Sequence, residues 1–101
     1  MTKPSIGCVK AATRILGDKW TPQLLRFFLN EKTVRFCQLQ DMVGSINPRT
    51  LSARLATLER EGIITKTFPL SEKRCEYRLT EKGEALSGII RDMESWSEQY
   101  A

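Results

Sequence analysis

Two helical segments joined by the tight turn Gly44-Ser45-Ile46-Asn47, a hairpin with a cationic tip directly after them, and a long striped helix at the end predict an α+β, mostly helical chain with winged helix-turn-helix architecture. The 101 residues make room for a single domain, residues 1–101, whose folding buries roughly 65% of the surface of the unfolded chain. Apolar residues at 41%, charged residues at 28%, and only 6 Gly and 4 Pro describe a globular chain and exclude a disordered or fibrous one. The longest apolar run is Phe27-Phe28-Leu29, so no membrane span is expected. Met1-Thr2-Lys3-Pro4 opens no hydrophobic leader, which points to a cytoplasmic protein.

Each element has its own signal. Val9, Ala12, Ile15 and Leu16 recur at helical spacing until Gly17, giving a first helix over about residues 8–16. Thr21-Pro22 reads as a helix start, because proline at the first helical position gives up an N–H that would be orphaned anyway. Trp20, Leu24, Leu25 and Phe28 form the stripe of this second helix, which ends near Asn30. Thr33-Val34-Arg35 suits only an edge strand. Phe36, Leu39 and Val43 share one face of a short third helix, with Gly44 as its left-handed cap. Asn47-Pro48 is the clearest start signal: asparagine accepts from an orphan N–H and Pro48 takes the first helical position. The fourth helix turns Leu51, Leu55 and Leu58 inward and stops at Gly62. The helix-turn-helix thus spans about residues 36–61 and the wing about 63–79. A strand from Ile63 to Phe68 and a polar loop from Pro69 to Arg74 lead to a second strand, where Cys75, Tyr77 and Leu79 alternate with Glu76, Arg78 and Thr80. Thr80 caps one long last helix, about 80–100, striped by Leu86, Ile89, Ile90, Met93, Trp96 and Tyr100.

Charge and residue types narrow the chemistry. Lys+Arg 16 against Asp+Glu 12 gives +4, unevenly spread. Residues 1–80 carry 14 basic and 7 acidic side chains, whereas residues 81–101 carry 2 and 5. A basic body attracts a polyanion, and an acidic terminal helix suits protein or solvent. The chain has no histidine, and Cys8, Cys37 and Cys75 are too scattered for a zinc motif or for a nucleophile–base pair, so neither an enzyme nor a metal or cofactor site is expected. Cys75 reads as core, and Cys37 as packed between faces on the flank of its helix.

On a helical wheel the outward arc of the fourth helix holds Arg49, Ala53, Ala56 and Arg60, beside Thr50 and Thr57, with Arg54 on the flank. Small residues let a helix approach a groove closely, and arginines and hydroxyls reach base edges and phosphates. Candidate DNA-contacting residues are Asn47, Arg49, Thr50, Ser52, Ala53 and Arg54 on this helix, with Lys73 and Arg74 at the hairpin tip. The rival reading is a winged helix used for protein–protein contact, but that version should show exposed Leu, Phe or Tyr on the same arc.

These residues carry a family resemblance. Gly17-Asp18-Lys19-Trp20-Thr21 resembles the Gly-x-Lys-Trp-Thr signature of the HxlR-type (MarR-like) winged-helix transcription regulators. Ile46-Asn47-Pro48-Arg49-Thr50-Leu51-Ser52-Ala53-Arg54-Leu55 is similar to their helix-turn-helix, with asparagine for the usual serine at the cap. Leu58 to Ile64 and Glu76 to Gly83 resemble the family's strand entry and its exit into the last helix. The resemblance implies a bacterial homodimer on an inverted-repeat operator, with half-sites about 10 bp or a multiple apart, and most often a repressor. It also implies dimerisation through the first and last helices. Leu86, Ile89, Ile90, Met93 and Trp96 of that C-terminal dimerisation helix offer more apolar face than one thin domain needs. Family members that sense oxidants or electrophiles do so through a cysteine just before the first helix, where Cys8 stands here. Lys3, Lys10 and the helix start would lower its thiol pKa. No residue marks an effector pocket, for which the groove between the terminal helices is the expected place.

Overall fold

The computed structural model describes residues 9–68 and 75–101. Along them run α1 (Val9–Leu16), α2 (Thr21–Phe28), β1 (Val34–Arg35), α3 (Phe36–Val43), α4 (Pro48–Arg60), β2 (Ile64–Thr67), β3 (Glu76–Leu79), α5 (Glu81–Glu84) and α6 (Ser87–Tyr100). The three strands form an antiparallel sheet in the order β1-β3-β2, with Val34 opposite Tyr77 on one side and Ile64 opposite Leu79 on the other. The sheet with its helix-turn-helix is a winged helix.

The core lies where α2, α3 and α4 meet the sheet. Leu24, Leu39 and Leu51 are fully buried, and Leu25, Leu55, Leu58, Ile63 and Ile64 nearly so. Burying each such side chain contributes about 1.5–3 kcal/mol, so the inward leucines of α4 hold the whole helix against the body. Ile46, in the turn before α4, is buried too and anchors the approach to the cap. Gly44 and Gly62, at φ +80° and +76°, turn the chain out of α3 and α4 in the left-handed region.

The structure departs from sequence expectation at four places. The last helix is not continuous: Thr80 caps only the four-residue α5, and the Leu86 N–H bonds back to Gly83 O at 3.0 Å in a tight i→i−3 step before α6 begins. The cause is the close seat of α5 on the strand entry, where Gly83 is buried against the Ile63 carbonyl. The stripe of α6 then divides. Ile90 is buried in the core and Leu86 packs partly against it, so these two complete the core of the chain, whereas Ile89, Met93, Trp96 and Tyr100 remain exposed. Cys37 is exposed rather than packed between faces, because Leu39 takes the inward position of α3. Finally, α2 is capped from upstream: Asp18 Oδ1 accepts from the N–H groups of Trp20 and Thr21 at 2.8 and 2.9 Å.

Candidate nucleic-acid interface

The local sequence sets α4 first. Asn47 is extended at φ −71°, ψ 138°, and its side-chain oxygen accepts the Arg49 N–H at 2.8 Å. That bond satisfies one of the orphan donors at the helix start, and Pro48 removes another. With Leu51, Leu55 and Leu58 buried, the opposite side of α4 faces solvent. Asn47, Arg49, Ser52, Ala53, Ala56 and Arg60 are exposed there, with Thr50 and Thr57 half-buried beside them. Two bonds order the far end of this face. Thr57 Oγ1 donates to Ala53 O at 3.0 Å, and Arg60 Nη2 donates to Thr57 Oγ1 at 3.3 Å. The result is a ridge whose middle is small and whose two ends are cationic.

Arg54 stands apart from this ridge. Its Nη1 lies 3.7 Å from Asp18 Oδ2, in the turn between α1 and α2. Burial alone would raise the Asp18 carboxyl pKa. Hydrogen bonds from the Thr21 hydroxyl and the Thr21 and Trp20 N–H groups, with the charge of Arg54, outweigh it and hold the carboxyl below its usual range. A second pair ties α1 to the end of α4. Arg14 grips Glu61 through two N–H donors at 3.1 and 3.0 Å, which lowers the Glu61 carboxyl and raises the guanidinium. Lys82 Nζ donates to Glu61 O at 2.7 Å.

The wing adds charge that the helical wheel did not reveal. Lys66 on β2 and Arg78 on β3 are exposed along the strands that lead to the hairpin tip. Phe68 is 66% exposed, with Lys66 Nζ 5.6 Å from its ring centre. Strand alternation placed Arg78 outward from Tyr77, but Lys66 pairs with Tyr77 and shares its face, and is exposed on the edge strand β2 while Tyr77 is covered on the central strand β3. Lys73, Arg74 and Cys8 lie outside the described residues. Beneath the sheet, burial pushes the Tyr77 phenol up to about 12.

Other sites are sparse among the described residues. No group of three or more His, Cys, Asp or Glu could hold a metal, and no helix is long and apolar enough to cross a membrane. A cavity of about 300 Å³ opens between α2, α3 and α6, with Phe27, Val43, Ile90 and Met93 in its wall and the Arg26–Glu94 ion pair (2.7 Å) at its edge.

Comparison with known proteins agrees with this geometry. The family described as HxlR-like helix-turn-helix matches residues 15–101. The HTH-type transcriptional regulator YvaP of Bacillus subtilis strain 168 is 33% identical over 90 residues, covering 88% of this chain and 82% of YvaP. Among solved structures, the redox regulator HypR in its oxidised form superposes with a TM-score of 0.86 at 29% identity, covering 92% of this chain and 96% of that one. The reduced form of the transcriptional regulator YodB from B. subtilis superposes with a TM-score of 0.79 at 26% identity, covering 100% and 96%.

Proposed function

The chain belongs to the HxlR-like helix-turn-helix family of DNA-binding transcription regulators, which are not enzymes, and from that premise we propose that it is a cytoplasmic repressor acting as a homodimer on an inverted-repeat operator. The observation that carries this reading is the exposed face of α4, where Arg49 and Arg60 flank the small side chains of Ser52, Ala53 and Ala56. A helix with a small, hydroxyl-bearing middle enters a major groove, and arginines at its ends reach guanine edges or phosphates. The same face carries no large apolar side chain, which argues against use as a protein-docking surface. Lys66 and Arg78 on the strands, together with Lys73 and Arg74 of the intervening sequence, would neutralise flanking phosphates.

The dimer reading is supported by Ile89, Met93, Trp96 and Tyr100, which stand 43–67% exposed along α6, and by Val9, 57% exposed on α1. A row of large apolar groups at helical spacing is an unusual surface for a monomer. Response to oxidants through Cys8 is the finer part of the proposal. It draws on the place of Cys8 just before α1 and on the likeness to a redox regulator.

The test is selection of binding sites from a random duplex library with reduced protein at about 100 mM salt, a concentration where phosphate contacts still contribute. Enrichment of an inverted repeat is expected. Only weak, salt-sensitive binding without enrichment would refute sequence-specific recognition by the reduced, effector-free protein, and would mean either that an effector or oxidant switches binding on or that the winged helix has a protein partner. With the selected duplex as probe, oxidant should change the affinity of the wild type and leave Cys8→Ser unchanged; equal responses would remove Cys8 from the mechanism.

A further inference from the structure

We propose that Asp18 is a positioning residue for DNA recognition: it anchors the guanidinium of Arg54 and so fixes which face α4 presents to the duplex. The inference rests on the DNA-binding reading above and takes Arg54 out of the set of direct contacts.

The anchor is rigid on one side. Both oxygens of Asp18 are engaged, Oδ1 by the N–H groups of Trp20 and Thr21 and Oδ2 by the Thr21 hydroxyl at 2.6 Å. Thr21 is itself buried, and α2 carries Leu24, Leu25 and Phe28 into the core. The carboxylate therefore cannot follow a moving partner. Upstream, a side chain at Gly17 would overlap the Thr13 carbonyl at the end of α1, so the chain passes from α1 to Asp18 in one close-packed step.

On the other side, Arg54 is half-buried, and one atom of its guanidinium has given up hydration. Its Nε is buried and has no hydrogen-bond partner, an arrangement that costs free energy and needs a compensating interaction. The interaction within reach is the Asp18 charge, 3.7 Å from Nη1. Arg54 sits on the flank of α4, one residue from the exposed Ala53 and one from the buried Leu55. One residue step turns a helix by 100°, so a side chain held on the flank adds a second point of attachment, beside the inward leucines, that opposes rotation of the outward arc. Glu61, seven residues further along, is held by Arg14 of α1. Along the rise of the helix the two pairs stand roughly 10 Å apart, and both reach α4 from α1 and the turn that follows it. A displacement of α1 would thereby reach the recognition face.

A guanidinium paired in this way presents little net charge to phosphate, and the two roles of Arg54 make opposite predictions. Asp18→Asn keeps an oxygen for the backbone N–H groups and removes the charge. The measurement is the dissociation constant for the selected duplex and for a scrambled duplex of equal length, across a salt series, with a thermal melt of each protein. Asp18→Asn is expected to weaken the selected duplex roughly tenfold, a few-fold from each protomer of a dimer, while the scrambled duplex and the log K–log salt slope stay as in the wild type. Arg54→Gln, which leaves the α2 cap intact, should do the same, and the double variant should be no weaker than Arg54→Gln. If Arg54 instead contacts phosphate, Asp18→Asn frees it. Binding to both duplexes then tightens, the salt slope steepens, and Arg54→Gln flattens it by about 2 for a dimer. That outcome overturns the proposal, as does an unchanged ratio between selected and scrambled duplexes. Failure of the wild type to enrich any sequence is a separate result, which removes the DNA-binding premise itself.

Discussion

Replacing Gly83 by alanine sets two effects of opposite sign against each other. Alanine is favoured over glycine within a helix by about 1 kcal/mol, so helix propensity alone predicts a more stable protein. The tertiary structure predicts the reverse. A Cβ at Gly83 would overlap the Ile63 carbonyl oxygen, stand 2.9 Å from Leu79 Cδ2 and 3.1 Å from the Ile63 carbonyl carbon. Two of these atoms are backbone at the entry to β2 and cannot rotate away. The same carbonyl accepts from the Thr80 N–H at 2.9 Å and from Thr80 Oγ1 at 3.1 Å, and Thr80 Oγ1 in turn accepts the Gly83 N–H at 3.1 Å. Overpacking of this kind costs about 1–3 kcal/mol, and one weakened hydrogen bond about 1 more. Set against the propensity gain, the net loss is about 2 kcal/mol, which lowers the Tm by roughly 8–16 °C in a chain of this size. Gly88 on α6 is the control, since a Cβ there meets nothing within 4 Å. Gly88→Ala should raise the Tm by a few degrees. The assay is far-UV circular dichroism during thermal and urea unfolding of the three proteins. A Gly83→Ala protein as stable as the wild type would refute the close packing of α5 on the strand entry, and with it the reason given for the break before α6.

Two further outcomes follow from burial. Ile90→Ala removes a core side chain and should cost about 2–5 kcal/mol, whereas Trp96→Ala, on the exposed face of α6, should keep the fold and shift sedimentation toward monomer; the reverse assignment would place the subunit contact on the other side of the helix. The Tyr77 phenol, raised by burial from 10.0 to about 12, favours its neutral form in the folded protein. Its contribution is therefore complete below about pH 10 and is lost as pH rises toward 12, by about 3 kcal/mol at most. Urea titrations at pH 8 and 11 should show a steeper decline for the wild type than for Tyr77→Phe, and parallel declines would mean the phenol is solvated.

How much of this was legible in the residues differs from element to element. Asn47-Pro48 and Gly44 announced α4 and the turn before it because caps are local chemistry: one side-chain oxygen, one missing N–H, one positive φ. The inward leucines of α4 were equally plain, since a 3.6-residue period leaves only one face for Leu51, Leu55 and Leu58. The same periodicity failed on α6. It showed one apolar stripe from Leu86 to Tyr100, while the fold spends Leu86 and Ile90 on its own core and leaves Ile89, Met93, Trp96 and Tyr100 outside. A hydrophobic pattern records that a face is apolar and carries no information about whose surface covers it.

Charges divide in the same manner. Basic residues could be counted along the chain, but Arg49 and Arg54, five positions apart on one helix, meet different surroundings. Arg49 is exposed to solvent, and Arg54 lies against a carboxylate 36 residues upstream. Likewise Asp18 reads as one acid in a basic stretch until α2 folds onto it and its oxygens find Trp20 and Thr21. By itself the sequence determined the order of elements, the caps, the inward face of α4 and the kind of chemistry its outward face offers, because all of these depend on neighbours within a turn or two. Only the tertiary structure decided the break at Ala85–Leu86, the division of the α6 stripe and the partner of Arg54, because each is set by atoms that approach through space from distant parts of the chain.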